Sequence, residues 1–185
     1  RTRGSHPRVT LDFVEGSLTD LQQRLLEGEC EVAVLYGVDI QAGIDYDTLY
    51  PTTPYVLLPA AHPLAAKGEI RLADLADHDM IALDVPPSLR YFNEVLSSAG
   101  VSPRIRHRTE GFEMVRSLVA RGVGYSLLIQ RPIADVSYEG RGLVIRRIQD
   151  DGRPLEVVLA RPANVRLTGR AAAFSAFCHA SAARR

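Results

Sequence analysis

Gly16-Ser17, Pro87-Ser88 and Gly111-Phe112 each stand where a stretch of strand character gives way to one of helical character, and that position favours one kind of chemistry. The first backbone amides of a helix have no partner within it, and the helix dipole adds partial positive charge there, so a carboxylate or another small anion is the natural guest. Ser17 adds a hydroxyl, which serves as an N-cap, as a ligand contact, or as both. Arg106, His107 and Arg108 precede Gly111. On a strand Arg106 and Arg108 share one face and His107 takes the other. Arg108 is then a candidate to grip a carboxylate, with solvated surface charge as the alternative. Tyr36 and Tyr125 sit at strand ends, as aromatic covers for a ligand or as core residues with a satisfied hydroxyl. Phe112 is a pocket wall or a core staple. The candidate contacts are therefore Gly16, Ser17, Tyr36, Ser88, Arg108, Gly111, Phe112 and Tyr125.

Other chemistry finds little footing. Glu15, Asp84 and Glu110 are isolated acids at strand ends, and no G-x-S-x-G, H-E-x-x-H or phosphate-binding loop accompanies them, so no catalysis is expected. Cys30 and Cys178 lie far apart, with no C-x-x-C and no histidine at ligand spacing, so neither a metal site nor a cofactor is expected, and two buried thiols are the simple reading. His62 is expected to fix a connection rather than to bind anything.

The 185 residues carry 22 basic and 22 acidic side chains, a net charge of zero, and the basic residues are scattered rather than striped. That balance gives no footprint for nucleic acid. The longest apolar runs, residues 55–59 and 125–129, are too short to cross a bilayer, and no export signal is visible, so a cytoplasmic protein is expected.

The elements needed to hold the candidate residues can be read in order. Val9, Leu11 and Phe13 alternate with polar neighbours as a half-buried strand. A helix follows, with Ser17 as cap, Leu18, Leu21 and Leu25 on one face and Gly28 as its stop. Residues 32–36 read as a buried parallel strand, closing a strand-helix-strand unit. Beyond a loop at 37–47, Leu49 and residues 55–58 are extended and punctuated by Pro51, Pro54 and Pro59. A helical turn at 72–76, a strand at 80–83, a helix capped by Ser88 and running to Ser98, a strand at 104–108, a helix stopped by Gly122 and a buried strand at 124–129 form a second βαβ-type unit. Strands at 143–148 and 155–159 are joined by a hairpin-like link, and a helix starting at Thr168 ends the chain.

Three stretches in this order resemble the effector-binding domain of LysR-type transcriptional regulators. Pro7-Arg8-Val9-Thr10-Leu11 with Glu15-Gly16, then Leu21, Leu25 and Gly28-Glu29-Cys30-Glu31-Val32-Ala33-Val34, is similar to the family's opening strand, leucine helix and G-x-L-D-x-A-I segment, with Cys30-Glu31 as the departure. His62-Pro63-Leu64-Ala65 matches its H-P-L-A. Leu118-Val119-Ala120-Arg121-Gly122-Val123-Gly124-Tyr125-Ser126-Leu127-Leu128 matches its L-V-A-x-G-x-G-x-x-L-L run, although Pro132 is displaced from its usual place.

The resemblance implies an α/β fold of two Rossmann-like lobes joined by two crossing strands, like type II periplasmic binding proteins. Lobe one would comprise 1–52 with 160–185, and lobe two 53–159. A small-molecule effector, an organic acid by the helix-terminus argument, would lie between the lobes. The domain is expected to form homodimers, with higher oligomers in a full-length protein. Its winged helix-turn-helix and first strand-helix unit are expected to be missing, so DNA binding would belong only to the helix-turn-helix. A solute-binding protein of a transport system has the same lobe plan and is the competing reading.

Overall fold

The computed structural model describes residues 11–150 and 154–184. In chain order their helices and strands are α1 (Leu18–Leu26), β1 (Ala33–Tyr36), β2 (Ile44–Thr52), β3 (Tyr55–Pro59), β4 (Glu69–Ile70), β5 (Asp79–Leu83), α2 (Ser88–Ser98), β6 (Arg104–Thr109), α3 (Phe112–Ala120), β7 (Ser126–Leu128), β8 (Leu143–Ile148), β9 (Leu155–Pro162) and α4 (Gly169–Ala182), with 3-10 turns at Pro63–Ala66 and Leu72–Leu75. The chain divides into two compact units, 1–52 with 155–185 and 53–154. All of β9 lies with the first, where the sequence reading divided the chain between 159 and 160.

In the first unit β9 is the central strand, antiparallel to β1 on one side and to β2 on the other. Its core joins Leu25 of α1 to Leu35, Ile44, Val158 and Ala160, with Leu18 and Leu21 packed against it, which is the 3.6-residue stripe expected of α1. The amide of Gln22, nearly fully buried, secures the loop beyond β1: Nε2 donates to the Asp39 carbonyl at 3.2 Å and Oε1 accepts from the Gln41 amide at 2.7 Å.

Three expectations for this part of the chain are corrected. Residues 11–17 form no strand, Phe13 is 78% exposed, and Val9 lies outside the described residues. Alternation alone does not make a strand; the ladder partner does, and among the described residues nothing pairs with Leu11 or Phe13. Second, β1 is neither parallel nor buried on both faces. Among the described residues its one neighbour is β9, and Val34 is 49% exposed, so a helix and a strand stand there where a strand-helix-strand unit was expected. Third, β8 and β9 are no hairpin, since they belong to different sheets.

The second unit shows why its strands read as unbroken apolar runs. Along β3, Val56 and Leu58 enter one cluster with Phe92, Val95 and Leu96 of α2, while Tyr55 and Leu57 enter another with Val115 and Val119 of α3. Strand β5 divides likewise, Met80 and Ala82 to the α2 side and Ile81 to the α3 side. Both faces are covered by a helix, so the two-residue alternation carries no polar positions. Each fully buried aliphatic side chain in these clusters contributes about 1.5–3 kcal/mol relative to exposure.

Strands β4, β8, β3 and β7 form one sheet and the parallel pair β5 and β6 another, joined by a parallel bridge between Met80 and Tyr125. The Tyr125 amide donates to the Asp79 carbonyl at 2.9 Å and the Ile81 amide to the Tyr125 carbonyl at 2.8 Å. Gly124 permits this approach, because a Cβ there would lie 2.3 Å from the Asp79 oxygen. Gly122, at φ +79°, turns the chain out of α3. None of the described helices is long and apolar enough to cross a membrane.

Candidate functional site

Parallel β5 and β6 end together at Leu83 and Thr109, and each leads within a few residues into a helix. The Asp84 amide donates to the Thr109 carbonyl at 2.9 Å, tying the two exits to each other. Helix α2 starts at Ser88 behind Pro87, and α3 starts at Phe112 behind Gly111. Ser88 is thus the first helical residue and not the cap, because the proline before it occupies that position. Neither first turn receives a hydrogen bond from a capping side chain, although the Gly111 amide donates to Thr109 Oγ1 at 3.2 Å and the Ser88 amide to the Val85 carbonyl at 2.7 Å.

The other two helices differ. Ser17 Oγ accepts from the Asp20 amide at 3.1 Å and Thr168 Oγ1 from the Ala171 amide at 3.3 Å, so α1 and α4 carry their own caps. In the first turn of α1 Asp20 is ion-paired with Arg24 at 3.2 Å, which raises the arginine's pKa through a hydrogen bond and charge attraction. The termini left without a side-chain cap are therefore those at the carboxyl ends of the parallel strands, where α/β sheets present ligand sites.

The remaining candidates fall in distinct places. Arg108 lies beside the two turns but already faces Asp84 at 3.9 Å, with its side chain about half exposed. Asp79, shared by Arg104 and Arg106, occupies those two arginines at the opposite end of β5. Phe112 packs against the α3-side cluster, under the guanidinium of Arg116 at 5.9 Å from the ring centroid. In the first unit, Ser17 follows Gly16 at the start of α1. Tyr36 ends β1, half-buried, and its hydroxyl is pushed up first by burial and then by Tyr50.

Tyr125 stands apart from the second unit's turns. It pairs with Met80 near the start of β5, not with Leu83 at its end, and its side chain is fully buried in the α2-side cluster. Its hydroxyl has no hydrogen-bond partner among the described residues, and burial pushes it up to about 12.

Two functional-looking residues escaped the sequence reading. Arg116 is 1% exposed and reaches the segment between β7 and β8, donating through Nη2 to the carbonyls of Ala134 at 2.9 Å and Val136 at 2.5 Å. Its Nε lies 3.1 Å from Glu113 Oε1, too poorly aligned to count as a hydrogen bond. Gln22 plays a similar part in the first unit. Both are ordinary polar residues on helices, and only their distant loop partners give them meaning. Among the described residues no group of three or more metal-ligating side chains occurs.

Comparison with known proteins agrees with this architecture. Residues 1–183 match the LysR substrate binding domain. The HTH-type transcriptional regulator MetR of Salmonella typhimurium is 28% identical over 151 residues, which is 81% of this chain and 47% of that regulator. The chain thus spans about half the length of the curated relatives it matches. The crystal structure of the C-terminal domain of a probable LysR family transcriptional regulator from Rhodococcus sp. RHA1 is 38% identical, with a TM-score of 0.91 over 96% of this chain and 87% of that one. The effector-binding domain of QuiR in complex with shikimate has a TM-score of 0.85 at 20% identity, covering 100% of this chain and 88% of that one. That of BenM with its effector benzoate has 0.81 at 18%, covering 99% and 83%. The last two bear on the fold alone, which is the type II periplasmic-binding-protein-like one.

Proposed function

The chain belongs to the LysR substrate-binding-domain family, and on that premise we propose that it senses a small organic acid on behalf of a LysR-type transcriptional regulator. It is an effector-binding domain; the acid is the part that is ours. The carrying observation is the contrast among the helix N-termini: α1 and α4 are capped by their own side chains, whereas α2 and α3 are not, and both start at the exits of parallel β5 and β6. Amides at such termini attract a carboxylate through hydrogen bonding and the helix dipole. In support, the fold is shared with an effector-binding domain in complex with shikimate and with one holding its effector benzoate, both carboxylic acids.

In this reading Ser88, Gly111 and Phe112 are the second unit's contacts, with Arg108 exchanging Asp84 for the ligand. Gly16, Ser17 and Tyr36 are the first unit's contacts. Tyr125 is the weakest of the eight candidates, given its burial at the other end of β5. The curated relatives are transcriptional regulators, which favours sensing over solute uptake and over catalysis. The domain would act in the cytoplasm as a homodimer, and DNA would be bound by a helix-turn-helix outside this chain.

A thermal-shift screen tests the proposal. Benzoate, shikimate and a panel of other carboxylates are compared with their amides and with cationic analogues. At least one acid is expected to raise Tm saturably while its amide does not. Stabilisation confined to neutral or cationic compounds would overturn the acid reading. At a hundredfold excess over Kd the expected gain is about 2.7 kcal/mol.

A further inference from the structure

His62 and His78 meet in the second unit at the end of β5 opposite the Ser88 and Gly111-Phe112 turns, since His78 directly precedes β5 and His62 follows the antiparallel β3. Their ring centroids are 4.6 Å apart, tilted by 59°. His62 is also the N-cap of the turn Pro63–Ala66, where its Nδ1 accepts from the Leu64 amide at 3.2 Å. A nitrogen that accepts must hold its lone pair, so His62 is neutral with its proton on Nε2. A second proton would make Nδ1 a donor pointing at another donor, and it would bring a positive charge against a second imidazole. Burial first, and His78 second, hold His62 below the usual histidine range.

Several charged and titratable groups near the pair are engaged elsewhere. Lys67, which follows the turn, is ion-paired with Asp74 at 2.8 Å, and Asp74 also accepts from the Arg71 amide. Arg71 Nε donates to Gln149 at 3.1 Å. From β8, Arg146 donates through Nε and Nη2 to the Ala65 carbonyl, within the turn itself. From β3, Tyr55 donates to the Gln130 carbonyl at 2.7 Å. Arg104 donates to the Asp77 carbonyl beside His78, and Asp79 pairs with Arg104 and Arg106.

We propose that the His62–His78 contact is a proton-sensitive latch: uptake of a proton by His62 breaks its cap on the Leu64 amide and loosens the Pro63–Ala66 turn from the second unit. The latch involves none of the candidate effector contacts, so it responds to acidification separately from ligand. Its sign follows from the lowered His62 value. The unfolded chain takes up the proton first, so the stability His62 supplies is complete near neutrality and declines as pH falls through the ordinary histidine value toward the lower folded one.

The test is an NMR titration of the whole chain between pH 7.5 and 5.0, following the two imidazoles and the Leu64 amide. Leu64 protection, corrected for intrinsic exchange, should drop about tenfold as His62 titrates, the equivalent of one hydrogen bond. His78→Asn should shift the His62 midpoint upward. His62→Asn, which keeps an acceptor for the cap and removes the titration, should leave Leu64 protected throughout. A Leu64 amide indifferent to pH in the unmodified chain, or a His62 midpoint unmoved by His78→Asn, would overturn the latch; the first reading needs no variant to fold.

Discussion

Removing the guanidinium of Arg116 strands the carbonyls of Ala134 and Val136, which share its Nη2. A hydrogen bond from a charged donor contributes about 1.5–3 kcal/mol, so Arg116→Met should lower unfolding free energy by about 2 kcal/mol in urea titrations. An unchanged midpoint would mean that the carbonyls find water at once. Tyr125 is the opposite case. Its hydroxyl has no described partner, so Tyr125→Phe should be neutral or stabilising by up to about 1 kcal/mol. Because burial raises the hydroxyl to about 12 from 10.0, the folded chain keeps a proton that the unfolded chain has released. Stability from this group is whole below pH ~10 and is lost as pH rises through about 12. Tyr125→Phe should flatten that alkaline decline, as read by circular dichroism. At this scale the sequence was informative where a residue's task is local: Ser17 caps the helix it precedes. It was mute for Gln22 and Arg116, whose partners lie 17 to 20 residues away.

Strands and helices differed in the same way. Helix α1 follows from its leucine spacing, its serine cap and Gly28, all within a dozen residues. The pairing of β1 does not, because its partner Ala160 stands opposite Ala33 across most of the chain. A run of apolar residues states that both faces are covered or that the strand is short, and it is silent on direction. The link between β8 and β9 misled for a related reason, since two adjacent strands with a turn-like Asp-Gly between them look alike whether they pair or part. The G-x-G run was better evidence than its length suggests. Gly124 is where β7 approaches β5, and Gly124→Ala, by placing a Cβ 2.3 Å from the Asp79 oxygen, should cost about 1–3 kcal/mol and weaken the Met80–Tyr125 bridge. Accelerated exchange of the Ile81 and Tyr125 amides would show it; retention of both at native protection would contradict it.

For the molecule as a whole, two α/β units connected twice were legible because the chain's motifs occur in family order, and the fold they imply is the one observed. For the ligand the sequence offers only an expected class, since helix termini speak for negative charge but not for the body that bears it. What the structure adds is a ranking: α2 and α3 present N-termini with no side-chain cap, and α1 presents one already satisfied by Ser17. The most direct measurement is therefore amide chemical-shift mapping of the labelled chain titrated with the acid that stabilises it most. The account predicts saturable shifts of the Ser88, Gly111 and Phe112 amides and of the amides at Gly16 and Ser17, with the Tyr125 amide little moved. Saturable shifts that spare residues 88 and 111–112 and gather elsewhere would contradict it.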